Sequence, residues 1–143
     1  MAVTVSLYNH TVSRFASGAN SVSDTYKLKL LTAATFDATH TTLAATGGTE
    51  VANGSGYTTG GASLTNVAVT TVTTNDAMFD ADDVTWNASG GAITSSFGIL
   101  YNDTDTNDPP VLFINFDGSQ TAADGTPFKV VWNANGILSF TTT

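Results

Sequence analysis

The chain has 143 residues, no cysteine, and 4 lysine and arginine residues against 12 acidic ones, which gives a formal net charge of -8. This composition excludes a scaffold held by disulfides. It also argues against nucleic acids and membranes as partners, because phosphate groups are bound by clusters of cations. Charged residues make up 11% of the chain, and an uncharged polar surface costs little to desolvate, which favours contacts with other proteins.

The first part of the chain predicts strands and one short helix. Apolar and polar residues alternate over residues 3–8, which predicts a strand at the start. The stretch "DTYKLKLLT", residues 24–32, predicts a half-buried strand. The segment from Phe36 to Ala45 is the one stretch typical of a helix, with Asp37 or Thr39 as its N-cap.

A glycine-rich stretch follows the predicted helix. Residues 46–62, "TGGTEVANGSGYTTGGA", contain six of the 13 glycines and predict an exposed loop. Such a loop is suited to contacts, and we take Asn53, Tyr57 and Thr58 as its candidate contact residues.

Short strands recur through the rest of the chain. Apolar or β-branched runs at residues 64–74, 83–86 and 93–100 predict strands, and "VLFINF", residues 111–116, is a near-continuous apolar run typical of a central strand. About eight strands with this spacing predict one all-β domain over residues 1–143. We expect a β-sandwich with a jelly-roll-like arrangement of strands and at most one short helix.

The last strand pair, "FKVVWNANGILSF", has apolar residues on both faces. Asn135-Gly136 predicts a hairpin with a two-residue type I′ turn, and a four-residue turn over "NANG" would divide the faces in the same way. One face carries Phe128, Val130, Trp132 and Ile137, and the other carries Val131, Leu138 and Phe140. Either a loop or the N-terminal segment covers the second face, or another protein does. We interpret the first face as core and Val131, Leu138 and Phe140 as the candidate protein-interaction face.

Few residues are arranged for chemistry. His10 and His40 are thirty positions apart without acidic neighbours at ligand spacing, and no nucleophile motif is present. Asp103, Asp105 and Asn107 match the start of a calcium-binding loop, but Asp108 replaces its required glycine and two prolines follow. We therefore expect no enzyme activity, no catalytic residues, no cofactor and no metal, with a weak Ca²⁺ site near Asp103 and Asp105 left open.

Several stretches resemble a known family. The segments "YTTGGASLTNVAVTTV", "DADDVTWNASGGAI", "ILYNDT", "FINFDG" and "DGTPFKVVWNANGILSF" are similar to small virion proteins of tailed bacteriophages, some of which are head decoration, or cement, proteins. The resemblance is best from Tyr57 to Phe140. It implies a jelly-roll-like sandwich on the capsid exterior, with the major capsid protein and a second or third copy of itself as partners.

Two further expectations complete this interpretation. The start of the chain has no secretory signal pattern and no apolar stretch is long enough to span a membrane, so we expect synthesis in the host cytoplasm and localisation on the virion. The alternative function is a receptor- or carbohydrate-binding β-sandwich of a phage tail or fibre. That function would need an exposed aromatic pocket, for which the loop around Tyr57 is the candidate.

Overall fold

The alternating and continuous apolar runs become eleven strands, accompanied by two short helices. A computed structural model describes residues 3–142. In chain order the elements are β1 (Thr4–Leu7), α1 (Thr11–Ser17), β2 (Tyr26–Ala33), α2 (Leu43–Thr46), β3 (Thr49–Glu50), β4 (Ala62–Ser63), β5 (Ala68–Thr71), β6 (Ala77–Asp80), β7 (Val84–Asn87), β8 (Ile93–Asn102), β9 (Pro110–Ala122), β10 (Pro127–Val130) and β11 (Leu138–Phe140). Among these residues, no helix is long and apolar enough to cross a membrane.

Antiparallel pairing joins the strands into three sheets. The large sheet has six strands in the order β1, β9, β8, β2, β3, and β4 also pairs with β2. A three-stranded sheet contains β5, β6 and β11, and a two-stranded sheet contains β7 and β10. The all-β, sandwich-like class is confirmed. A jelly roll is not, because the strands are distributed over sheets of six, three and two rather than over the two sheets of an eight-stranded jelly roll.

The main core lies between the large sheet and the two small sheets. Tyr26 of β2 packs against Phe79 of β6 with ring centroids 5.2 Å apart, and Phe116 of β9 packs against Phe128 of β10 at 6.0 Å. All four side chains are buried. Because burial of apolar surface is the dominant favourable contribution to folding, these contacts fix the small sheets onto one face of the large sheet.

A second, smaller core lies on the opposite face of the large sheet. Partly buried residues of the segment between β2 and β3, including Phe36 and Leu43, pack against this core. The buried residues of the core are Tyr8, Leu31, Ile99 and Phe113. β9 is therefore covered on both faces, which explains its near-continuous apolar run. The prediction of a central strand at residues 111–116 is confirmed.

The helix predicted from Phe36 to Ala45 is reduced to its last turn. Asp37 forms a turn instead of capping a helix, because its Oδ1 accepts a hydrogen bond from Thr39 N at 2.9 Å. α2 begins later, where Thr42 Oγ1 accepts from Ala45 N at 3.2 Å.

The prediction of at most one helix is wrong, because α1 was not anticipated. No side chain caps its N-terminus, so its sequence lacks the usual start signal. Its position depends on tertiary packing, since the Phe15 ring lies 4.9 Å from that of Phe79.

The predicted C-terminal hairpin is also wrong. β10 pairs with β7 and β11 pairs with β6, so the two strands belong to different sheets. Residues 131–137 connect the sheets and are held in place by Trp132. Its backbone N donates to Asp83 Oδ1 at 3.0 Å, and its ring Nε1 donates to Asp82 O at 3.0 Å.

The Asn135-Gly136 pair has a different role from the one its sequence suggests. A type I′ turn needs positive φ at both residues, but of the two only Gly136 has it, at 88°. Gly136 N donates to Asn133 O at 2.8 Å and closes a four-residue turn. A Cβ at position 136 would lie 2.8 Å from Cβ of Met78, so glycine is required because the backbone passes closely over β6.

An ion pair fastens α1 to the loop between β8 and β9. The Arg14 guanidinium contacts the Asp105 carboxylate, and Arg14 Nε also donates to Asn20 Oδ1 at 3.1 Å. The hydrogen bond from Arg14 holds the pKa of Asp105 below its ordinary value. A carboxylate whose pKa is lowered by folding stabilises the protein at pH values above its pKa in the unfolded chain. This stabilisation is lost as the pH falls through its pKa in the folded protein.

We therefore predict that Asp105→Asn lowers the melting temperature at pH 7 by a few degrees at most. The difference from the unsubstituted protein should shrink as the pH falls below about 4, near the unfolded pKa of aspartate. Asp108→Asn is the control, since it removes the same charge from a side chain outside the ion pairs of residues 3–142. Thermal unfolding across pH measures both; a pH-independent difference for Asp105→Asn would contradict the prediction.

Candidate interaction surface

β1 forms one edge of the large sheet, and no other strand of residues 3–142 pairs with its outer side. Its inner side pairs with β9, and just beyond it Tyr8 N donates to Val111 O at 3.5 Å. Successive residues of a strand point their N–H and C=O groups to opposite sides. Even-numbered residues of this strand therefore face β9, and Val3, Val5 and Leu7 direct their backbone groups towards solvent.

The side chains of the same three residues are apolar and exposed, by 59% for Val3, 54% for Val5 and 39% for Leu7. Val5 lies opposite Ile114, and Leu7 lies opposite Leu112. Both partners belong to the main core, and directly opposite residues point to the same face of a sheet. The main-core face thus extends to β1, but the small sheets leave it open at this edge.

A groove of about 880 Å³ lies between β1 and the chain that follows β9. Core residues of β9 form its floor, and β10 with the connecting segment forms its far wall. Of the described residues that line the groove, Lys129 alone is charged, and its Nζ pairs with Asp83 Oδ2 at 3.0 Å. The apolar residues that line it are Val3, Val5, Leu112, Ile114, Phe116, Ala122, Pro127, Phe128, Val130, Val131, Trp132 and Ile137. We call this surface the β1 groove.

The predicted interaction face at Val131, Leu138 and Phe140 is not one surface. Val131 is 66% exposed and lines the β1 groove. Leu138 is buried in the main core, because β11 pairs with β6 and directs this side chain inwards. Phe140 is half-buried against Phe15, with ring centroids 5.8 Å apart. Leu138 is therefore corrected from a contact residue to a core residue.

The predicted core face of the same segment does lie against the main core. Phe128 and Val130 are buried, and Trp132 and Ile137 are partly buried against the main core. Their inward direction comes from the pairing of β10 with β7 and from the anchored connecting segment, and it does not depend on a hairpin.

The predicted contact loop is partly corrected. Tyr57 is buried: its hydroxyl donates to Glu50 Oε1 at 2.7 Å and accepts from Leu30 N at 3.0 Å. Burial raises the pKa of this tyrosine well above its ordinary value. Asn53 and Thr58 are exposed, so they remain the candidate contact residues of the loop.

The aspartates of the calcium-like stretch are held by cations of the chain itself. Asp103 Oδ2 lies 2.9 Å from Lys27 Nζ, and Asp105 pairs with Arg14. Within residues 3–142 no three histidine, aspartate or glutamate side chains are grouped so that they could hold a metal ion. The two carboxylates therefore act in ion pairs that connect the β8–β9 loop to β2 and α1.

The sequence did not indicate that β1 is an edge strand with an exposed apolar face. Alternation at residues 3–8 predicts a strand but does not say which neighbours it has. Residues 3–8 contain neither the charged residues nor the proline that usually protect a sheet edge from pairing. If they form an edge, this composition indicates that the edge is open to a partner.

Comparison with protein-family models, with curated proteins and with solved structures found no significant match.

The corrected position of Leu138 leads to a stability prediction. Leu138→Ala should lower the free energy of unfolding by about 2–4 kcal/mol, because it leaves a cavity in the main core. Val131→Ala should change it by less than about 0.5 kcal/mol, since this side chain is mostly exposed. Urea unfolding of both variants measures the difference, and equal small losses would contradict the placement of Leu138.

The hydrogen bonds of Tyr57 also predict how a substitution at this position affects stability. Tyr57→Phe should lower the free energy of unfolding by about 1–3 kcal/mol, because Leu30 N and the Glu50 carboxylate lose a partner. Tyr26→Phe is the control, since within residues 3–142 the Tyr26 hydroxyl makes a single hydrogen bond, to Ser21 O at 2.9 Å. Urea unfolding should show the larger loss for Tyr57→Phe; the reverse order would refute this view of the loop.

Proposed function

We propose that this chain is a structural virion protein that binds the outside of a bacteriophage capsid and stabilises it as a decoration, or cement, protein. The observation that carries the proposal is the β1 groove. It combines an unpaired strand edge with exposed apolar side chains on a face that is core elsewhere in the sheet. Surfaces of this kind mark sites of protein contact.

The character of the remaining surface supports a role in assembly. With 11% charged residues, much of the exposed polar surface is uncharged, and such surface is cheaper to bury than a coat of charges. Three of the four lysine and arginine residues, Arg14, Lys27 and Lys129, pair with aspartates. These pairs serve the fold and leave the surface suited to uncharged contacts.

The glycine-rich loop supplies a second, preorganised contact region, for which the major capsid protein is the proposed partner. Glu50 Oε1 accepts from Gly60 N at 2.6 Å as well as from the Tyr57 hydroxyl, and Tyr101 donates to Gly60 O at 2.7 Å. The loop carries Asn53 and Thr58 on its exposed side. A loop held in one conformation loses little entropy on binding, which favours a lasting contact.

The proposed mechanism is stabilisation by mass action. A protein that binds the assembled shell but not its separated or precursor subunits lowers the free energy of the assembled state. Many copies on one shell multiply this effect, since each contact is made at high local concentration. No covalent chemistry is needed.

The alternative of receptor or carbohydrate binding loses the feature on which it depended. It required an exposed aromatic pocket around Tyr57, and this ring is buried beside that of Trp86 at 6.0 Å. The other tyrosines, Tyr8, Tyr26 and Tyr101, are buried as well. The geometry therefore favours the cement role.

We predict that the purified protein sediments with mature shells assembled from the major capsid protein of the same genome and raises the temperature at which they open. Thr58→Arg should reduce this binding about tenfold, because a bulky charge enters the loop contact. Thr85→Arg, at an exposed position of β7, is the control. Shells with the same heat tolerance with and without the protein would contradict the proposed function.

A further inference from the structure

We propose that the free edge of β1 pairs with β1 of a second copy of this chain across a twofold axis, so that two large sheets join into one. This inference deepens the proposed function, because it assigns the self-contact of a cement protein to a particular surface. Its experiment nevertheless uses the free protein in solution, so it does not depend on capsid binding.

The backbone of β1 suits a symmetric antiparallel pair. With the twofold axis through Val5, this residue lies opposite its own counterpart, and Val3 lies opposite Leu7 of the second copy. These three residues direct their N–H and C=O groups away from β9, so all of them can exchange hydrogen bonds across the axis. The register therefore satisfies the exposed edge without disturbing the pairing of β1 with β9.

The side chains fit the same register. An axis perpendicular to the sheet keeps the main-core faces of the two copies on the same side, and opposite residues then share a face. The exposed Val3, Val5 and Leu7 of both copies would form one apolar strip between the two grooves. Each of these side chains would contact its cross-strand partner in the second copy, which removes part of the exposed apolar surface of β1 from water.

Charge favours a second copy as the occupant. The chain has a net charge of -8, so approach over most of its surface brings carboxylates together. Residues 3–9, "VTVSLYN", contain no charged group, and the lysine of the groove is paired with Asp83. A strongly charged partner would find no complementary group here, whereas an identical uncharged edge meets no repulsion.

The size of the contact sets its strength. A contact through residues 3–7 and the groove rim involves fewer than the about 20–30 residues per side of a standard stable interface. We therefore expect a dimer that forms with increasing concentration and becomes dominant where copies are held close together, as on a shell.

Cysteine cross-linking tests the register directly, because the chain has no cysteine of its own. Opposite residues of a hydrogen-bonded antiparallel pair lie about 5.5 Å apart at Cα, within the range of disulfides. Val5→Cys should form covalent dimers rapidly under mild oxidation. Val22→Cys is the control, since Val22 is similarly exposed, at 46%, in the loop between α1 and β2. Equal rates for both variants would overturn the register.

Sedimentation without cross-linking tests the interface itself. Val5→Asp should weaken self-association about tenfold or more, because it places two carboxylates opposite each other, while Val22→Asp should leave it unchanged. Circular dichroism and thermal unfolding establish that both variants fold; if Val5→Asp does not fold, Val5→Lys replaces it. A protein that stays monomeric up to about 1 mM, or a dimer indifferent to the charge at position 5, would overturn the inference.

The outcomes for dimer and capsid are separable. A monomeric protein that still binds and stabilises shells would refute the β1 dimer and leave the cement function intact. A dimer sensitive to Val5→Asp that does not bind shells would support the β1 dimer and contradict the cement function.

Discussion

The antiparallel pairing of β8 with β9 is the constraint on which the rest of the structure depends. It runs from Ile93 opposite Ala122 to Tyr101 opposite Pro110, with two register shifts on the way. Both faces of this central pair are apolar, so both must be covered. The small sheets cover one face and the segment after β2 covers the other. β1 completes the backbone pairing of β9, yet its own core-facing side chains remain open to solvent.

This arrangement connects the fold to the proposed function. An unprotected strand edge is a liability for a protein that works alone, because it invites pairing with other chains. It is useful for an assembly subunit, where the same pairing completes the sheet. The low charge of the chain and the preorganised glycine-rich loop fit the same role. The core of the protein is fully packed, but the edge of β1 lacks a pairing strand, and we expect a binding partner to supply one.

The sequence was sufficient for the class of fold and for the inward faces of individual strands. The pattern at residues 24–32 correctly predicted a strand, in which Tyr26, Leu28 and Leu30 are buried, and the run at residues 111–116 correctly predicted a central strand. These features depend on local periodicity, which follows directly from the geometry of a strand. They needed no knowledge of which strand pairs with which.

The pairing of strands could not be predicted, because it depends on contacts far apart in the chain. Asn135-Gly136 is typical of a hairpin, but here its glycine is required by the close approach to Met78 on β6. The misassigned hairpin then placed Leu138 on the wrong surface. Tyr57 was misjudged for a similar reason, since its partner Leu30 N lies on a strand 27 residues away. The β1 groove was missed because only the assembled sheet reveals its edges.

The measurement that tests this account most directly is amide hydrogen exchange along β1 at increasing protein concentration. The account predicts that the Val5 amide exchanges rapidly in dilute solution while that of Ser6, which faces β9, is protected. At high concentration Val5 should become protected and Ser6 should change little. A Val5 amide that is protected in dilute solution, or one that exchanges equally fast at every concentration, would contradict the claim that β1 is a free edge completed by a second copy.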